Sequence, residues 1–135
     1  MAEVLEFVRM QLPERLQNVI VIGPNMMMAK LHYGDPAVHY EVWVQKRKGL
    51  VEVGLHFEGT KERNAAYLHA LSNRSGEIRS ALGNSVELEQ WTASWTRVHE
   101  HIALEALDAD MLVSVGHTLA RMIIVLEPMV REAEA

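Results

Sequence analysis

The segment VHYEVWVQKRKGLVEVGLHFE, residues 38–58, alternates aliphatic or aromatic side chains with polar ones on either side of a short basic stretch. An alternation with a period of two is typical of β-strands that are buried on one face. Val38–Gln45 and Leu50–Glu58 are therefore predicted to form a β-hairpin. If Gln45 pairs with Leu50, each aliphatic residue of one strand lies opposite an aliphatic or aromatic residue of the other.

This register gives the hairpin two different faces. One face is apolar and consists of Val38, Tyr40, Val42, Val44, Val51, Val53, Leu55 and Phe57. The other face carries His39, Glu41, Trp43, Glu52, Gly54, His56 and Glu58. We expect helices to bury the apolar face, and we expect the second face to be exposed or covered by a partner.

Three flanking stretches predict amphipathic helices, because their apolar residues recur at three- and four-residue spacing. The first spans residues 2–17. The second begins at Thr60, a residue suited to capping, and ends at Leu82, before a glycine. The third begins after Asp108 and is predicted to end at Pro128, since proline removes a helical hydrogen bond.

The remaining sequence predicts further strands. Val19–Ile22 is β-branched throughout and favours a strand, and Met26–Leu31 is a weaker candidate. Val86–Gln90 and Trp95–Ile102 predict a second hairpin. The resulting order, α-ββ(β)-α-ββ-α, indicates an α+β fold in which an antiparallel sheet has its helices packed on one face. The absence of linkers and repeats predicts one domain, 1–135.

The composition excludes several kinds of protein and site. The chain has no cysteine, so disulfides, thiolate metal sites and cysteine nucleophiles are impossible. A net charge of -5 argues against a nucleic-acid partner. The N-terminal residues lack the basic and apolar regions of a secretory signal, and no apolar run approaches the ~20 residues that span a bilayer. We therefore expect a cytoplasmic protein without a membrane segment.

The sequence contains no recognisable catalytic motif. No serine lies in a Gly-x-Ser-x-Gly elbow, and no glycine-rich phosphate loop is present. A non-enzymatic protein without a cofactor is therefore expected.

A metal site is the alternative on the polar side of the hairpin. The predicted register places His39 opposite His56, with Glu41 and Glu58 nearby, and two imidazoles with a carboxylate are able to hold zinc or iron. The close ligand spacings of known metal motifs are absent. Exposed strand histidines and acids are the commoner explanation, so no metal ligand is predicted.

Trp43, Glu52 and His56 are the predicted partner-binding residues. Trp43 points away from the apolar face, where an exposed indole requires a covering element or a partner. Glu52 faces it across the hairpin, and His56 lies farther along the same side. We expect these residues to line a shallow groove for a protein or peptide, unless a helix covers this face.

The element order, the acidic charge and the small size resemble the type III secretion chaperone-like fold. This resemblance covers nearly the whole chain and implies a homodimer that binds extended segments of a partner protein. The middle helix, here Thr60–Leu82, is the implied dimer interface. The expected function is accordingly that of a chaperone or adaptor.

A second resemblance concerns the run Glu77–Gly83, the run Val86–Glu89 and the tryptophan that follows them. These residues are similar to an uncharacterised domain attached to some restriction-type nucleases. The resemblance covers about a third of the chain and implies the alternative function, an accessory domain of a DNA-processing system. In that case Lys46, Arg47 and Lys48 would contact phosphate groups.

Overall fold

Six strands form one antiparallel sheet in the computed structural model, which describes residues 1–134. The strands are β1 (Ile20–Ile22), β2 (Met28–His32), β3 (Val38–Gln45), β4 (Leu50–Phe57), β5 (Glu87–Gln90) and β6 (Thr96–Ala103). They lie in the order β1-β2-β3-β4-β6-β5, so that β1 and β5 form the two edges of the sheet.

Four α-helices accompany the sheet and make this an α+β fold, as predicted. They are α1 (Ala2–Gln11), α2 (Lys61–Ser72), α3 (Ser75–Leu82) and α4 (Ala109–Glu134). The long helix α4 supplies the largest helical share of the core, and α1 packs against it. At their crossing the Phe7 ring fills the space that a Cβ of Gly116 would need, so this approach requires glycine.

The predicted hairpin is present with the predicted register. Gln45 pairs with Leu50, and the pairing continues to Val38 opposite Phe57. The central strand β4 pairs with β6 along its whole length on the other side, from Leu50 to Phe57. The hairpin therefore lies in the middle of the sheet.

The helices contact the apolar face of the hairpin. The Tyr40 hydroxyl donates a hydrogen bond of 3.0 Å to Glu127 of α4. The Phe57 ring stacks on Tyr67 of α2 with ring centroids 4.6 Å apart. Both strand residues belong to the apolar face, which is buried except for the partly buried Val38. The prediction of helices packed on this face is confirmed by these contacts.

Several predicted helix ends are wrong. The first helix ends at Gln11, because Pro13 forces Leu12 into an extended conformation, with ψ of 143°. Residues 14–16 then form a separate 3-10 turn that buries Leu16. Conversely, Pro128 lies inside α4, which continues to Glu134.

The predicted middle helix is two helices. Thr60 caps α2 as expected, since its hydroxyl accepts a hydrogen bond from the Arg63 backbone N–H. The helical path stops at Asn73 and Arg74, where Arg74 has φ of −112° and ψ of 18°. α3 begins at Ser75, inside the range Thr60–Leu82 that was predicted to be one helix. The predicted dimer interface is therefore divided between two helices.

Four strands precede α2, one more than the predicted order allows. Both candidate segments before the hairpin form strands, and their observed bounds are Ile20–Ile22 and Met28–His32. The second hairpin is confirmed to within one residue at each strand end, with Gln90 opposite Thr96.

One helix, α4, is long and apolar enough by length and composition to cross a membrane. The same test is passed by core helices of soluble domains, and many apolar residues of α4 lie in the core of this domain.

Candidate binding face

The face of the sheet opposite the helices, termed the polar face, carries most of the ionisable side chains of the strands. Its members follow from the strand registers and are Ile20, Ile22, Met28, Lys30, His32, His39, Glu41, Trp43, Glu52, His56, Glu58, Glu87, Glu89, Arg97, His99 and His101. Within residues 1–134, the hydrogen bonds, ion pairs and ring contacts of these side chains involve strands and loops and no helix.

The polar face is far more buried than the sequence suggested. Glu52 and His56 are both 0% exposed, and His39 and His99 are 2% and 1% exposed. Their cover comes from neighbouring side chains rather than from a helix. The prediction of exposed histidines and acids on this side of the hairpin is therefore wrong.

Trp91, which follows β5, provides part of this cover. Its ring lies edge-on to the His56 imidazole, with centroids 5.5 Å apart. The Arg97 guanidinium lies 4.5 Å from the centroid of the Trp91 ring, within the range of a cation–π contact. The loop between the last two strands thus closes over the middle of the polar face.

Glu52 is the centre of one buried network. Its Oε1 atom accepts hydrogen bonds from His56 Nε2 at 3.1 Å and from Arg97 at 3.0 Å. Burial alone would raise the pKa of the Glu52 carboxyl, but the hydrogen bond from His56 and the charges of His56 and Arg97 outweigh it and lower the pKa. Glu52 is therefore ionised at neutral pH.

His56 lies among three carboxylates. Besides Glu52, Glu58 Oε2 lies 3.3 Å from His56 Nδ1, and Glu41 Oε2 lies 3.8 Å from Nε2. The contact with Glu58 is close but is not aligned for a hydrogen bond, which leaves the buried Nδ1 atom without a partner. Burial lowers the pKa of His56, and the neighbouring carboxylates more than compensate, raising it to about 9.

His39 stacks beside His56, with ring centroids 5.5 Å apart and an interplanar angle of 13°. Its Nδ1 atom lies 2.9 Å from the Pro36 carbonyl oxygen, and its Nε2 atom lies 3.2 Å from Glu41 Oε1. A carbonyl only accepts hydrogen bonds, so Nδ1 is the protonated nitrogen. Nε2 then faces the Glu41 carboxylate.

A second acid–histidine group, Glu87, Glu89 and His99, lies at the β5 edge. Here Glu89 already accepts two hydrogen bonds from Arg97, at 3.0 and 2.7 Å, and one from His99 at 2.9 Å. The Arg97 guanidinium is the cation of this group.

The three predicted site residues share one face, as the register requires. Trp43 is half-buried, directly opposite Met28 on one side and Glu52 on the other. Glu52 and His56 lie beneath the surface, so the expected open groove lined by all three is absent. Glu52 and His56 connect the strands of the polar face through their hydrogen bonds and ion pairs. Of the three residues, only Trp43 reaches solvent.

Sequence reasoning missed the contribution of the second hairpin to this face. Arg97, His99 and Glu89 complete the network, although more than thirty residues separate them from Glu52. The period-two alternation of His99 and His101 was visible. The pairing of β6 with β4 was not, because a sequence does not reveal which strands are neighbours.

The two edges of the sheet differ in chemistry. β1 carries no charged residue, and Ile20 and Ile22 are 49% and 43% exposed. We term these two isoleucines, with the Met28 and Trp43 pair of β2 and β3, the apolar edge. On β2 the isoleucines themselves lie opposite His32 and Lys30. β5 carries Glu87 and Glu89 instead.

Lys46, Arg47 and Lys48 form an exposed 3-10 turn between β3 and β4. They are grouped as predicted, at the end of the central hairpin.

No family model, curated protein or solved structure matches this chain.

Proposed function

We propose that this protein is a non-enzymatic binding protein, a chaperone or adaptor, which takes up an extended segment of a partner protein at β1. The observation that carries this proposal is the apolar edge, an outer strand with exposed isoleucines and no charge. Main-chain groups on the outer side of such a strand are available to pair with another chain.

The free side of β1 supports strand addition. Within residues 1–134, β1 pairs with β2 and with no other strand. An added strand would continue the antiparallel sheet and would gain main-chain hydrogen bonds. Its alternate side chains would meet Ile20 and Ile22, so the partner segment is expected to be apolar at every second position.

The charge of β5, the strand at the opposite edge, favours β1 as the docking strand. Charged side chains on an edge strand disfavour pairing with other chains, and β5 carries two glutamates. β1 lacks this protection. On β2, Ile20 and Ile22 lie opposite His32 and Lys30, and the apolar pair of Met28 and Trp43 lies beyond Lys30 at the start of β2. Large flexible or aromatic side chains such as these two are common where partners bind.

Selection of short random peptides against the folded protein tests this proposal. We expect the selected peptides to be apolar at alternate positions, and we expect Ile20→Lys to weaken their binding at least about tenfold, because it places an unpaired charge at the docking edge. Val113→Lys on α4 is the matched control, since Val113 is 44% exposed and lies outside the sheet. Equal affinity of wild type and Ile20→Lys for the selected peptides would contradict the proposal.

We also propose that the chain forms a homodimer, as the chaperone-like resemblance implies. Light scattering of the wild type and of Ile20→Lys separates two arrangements. Loss of the dimer in the variant places self-association at β1. A dimer that persists in the variant uses another surface and leaves β1 available to the partner.

The exposed basic turn is the observation that favours the alternative, an accessory domain of a DNA-processing system. Binding of duplex DNA through Lys46, Arg47 and Lys48 would weaken steeply as the salt concentration rises. If no duplex binds at low salt, this alternative is removed.

A further inference from the structure

Four side chains of the polar face converge on one point. His39, Glu41, His56 and Glu58 each offer a ligand atom, and all four atoms lie within 4.8 Å of one another. His39 Nε2 lies 3.2 Å from Glu41 Oε1 and 4.0 Å from Glu58 Oε2, and Glu58 Oε2 lies 3.3 Å from His56 Nδ1. Zinc bonds of about 2.0–2.2 Å place the atoms of a tetrahedron about 3.3–3.6 Å apart, so small movements close this group around an ion.

In each histidine, the ring nitrogen that does not face the ion position is held by a hydrogen-bond partner. His39 Nδ1 donates to the Pro36 carbonyl at 2.9 Å, and His56 Nε2 lies 3.1 Å from Glu52 Oε1. In metal sites the non-ligating nitrogen of a histidine typically donates to a carbonyl or a carboxylate, and this contact fixes the orientation of the ring. Glu52 is fixed in turn by Arg97 at 3.0 Å.

No lysine or arginine of the described residues reaches the inner side of the group. With Nδ1 protonated, His39 Nε2 is an acceptor that faces the acceptor oxygen of Glu41, and two acceptors at 3.2 Å require a proton or a metal ion between them. His56 Nδ1 is buried in a side chain that is 0% exposed and has no hydrogen-bond partner. Lys30 is the nearest permanent cation among the described residues, with Nζ 3.9 Å from Glu41 Oε1, and it approaches from the rim.

We propose that His39, Glu41, His56 and Glu58 bind one divalent transition-metal ion, with Zn²⁺ as the expected occupant. Two imidazoles and two carboxylates form a donor set that suits Zn²⁺. Four protein ligands leave no open coordination position, so the ion stabilises the polar face and does not activate water. This inference is independent of strand addition at β1.

Metal titration of the full chain, made without a histidine tag and treated with a chelator, tests the proposal. We expect one Zn²⁺ per chain by elemental analysis and calorimetry, and a higher melting temperature with Zn²⁺ than without it. Co²⁺ is expected to give the visible absorption of a four-coordinate site. A folded chain that takes up no stoichiometric Zn²⁺ would overturn the proposal.

Three variants locate the ion. His39→Ala is expected to lower the Zn²⁺ affinity at least about 100-fold. Loss of a residue that only hydrogen-bonds to a ligand already costs about 10- to 100-fold, and loss of the ligand itself should cost more. Glu58→Gln changes a side chain at the rim, 14% exposed, and is the variant of choice if His39→Ala does not fold. His101→Ala removes an exposed histidine of the same face and is the control. Unchanged affinity in Glu58→Gln, or lost binding in His101→Ala, would contradict this ligand set.

Discussion

The hydroxyl of Tyr40, in the centre of the sheet, donates a 3.0 Å hydrogen bond to the Glu127 carboxylate of α4, 87 residues farther along the chain. Glu127 is 6% exposed and also accepts a hydrogen bond from Arg131 at 3.2 Å. This hydrogen bond therefore links β3 to α4 inside the core, and it requires that the carboxyl group of Glu127 be buried.

The stability of the protein should depend on pH through Glu127. Burial raises the pKa of this carboxyl, against the opposing effect of the hydrogen bonds from Tyr40 and Arg131. Below the unfolded-state pKa of about 4.3 the group is protonated in both states. As pH rises through the higher folded-state pKa, the folded protein must bury the charge, and stability is lost.

Glu127→Gln removes this titration and keeps an acceptor for Tyr40. We therefore expect the free energy of unfolding of the wild type to fall relative to that of the variant as pH rises from about 4 to about 7. Urea denaturation of both proteins at several pH values measures the difference. A difference that stays constant, or that changes in the opposite direction, would show that Glu127 does not titrate as its burial predicts.

Arg97→Ala should destabilise the polar face strongly. The guanidinium bridges Glu52, which is fully buried, and Glu89, with bonds of 3.0 and 2.7 Å. Removal of one partner leaves a buried charge poorly compensated and costs about 3 kcal/mol. We expect Arg97→Lys to recover only part of the loss, because an ammonium group cannot bridge two carboxylates in the same way.

The measurement for Arg97 is urea denaturation of chelator-treated protein, followed by the fluorescence of Trp91 and the other tryptophans. Arg97→Lys with the stability of the wild type would mean that a single positive charge suffices and that the bridging geometry is unimportant.

Substitution by alanine should lower the stability of the protein at Gly54 and raise it at Gly76. A Cβ on Gly54 would lie 2.7 Å from His99 Cβ and 3.1 Å from the Val98 carbonyl, so Gly54→Ala forces two central strands apart and should cost about 1–3 kcal/mol. A Cβ on Gly76 in α3 meets nothing within 4 Å, and Gly76→Ala should gain up to about 1 kcal/mol. Thermal unfolding of the pair measures both effects, and the same sign in both variants contradicts the packing described for β4 and β6.

The central hairpin was predictable because several residues agree on one register. Each pair from Gln45 and Leu50 to Val38 and Phe57 was anticipated, since a shift of one residue would have placed the valines of one strand among the histidines and glutamates of the other. The helix ends were less predictable, because whether a proline ends a helix or is accommodated within it depends on the surrounding structure. Pro13 terminates α1, whereas Pro128 is accommodated inside α4 and costs one backbone hydrogen bond there.

The candidate site was predictable only in part. The sequence placed His39 opposite His56 and grouped Glu41 and Glu58 with them, as observed. It did not indicate their burial, because the covering groups come from a second hairpin. The position of Trp91 over His56 depends on the pairing of β6 with β4, which local alternation does not specify.

Hydrogen exchange at β1 tests strand addition most directly. With a selected apolar peptide bound, we expect slower exchange of those backbone amides of Ile20–Ile22 that point away from β2, because the new strand pairs with them. The amides of Glu87–Gln90 at the opposite edge should exchange as before. Protection confined to β5 or α4, or no protection at β1 when the peptide is bound, would contradict it.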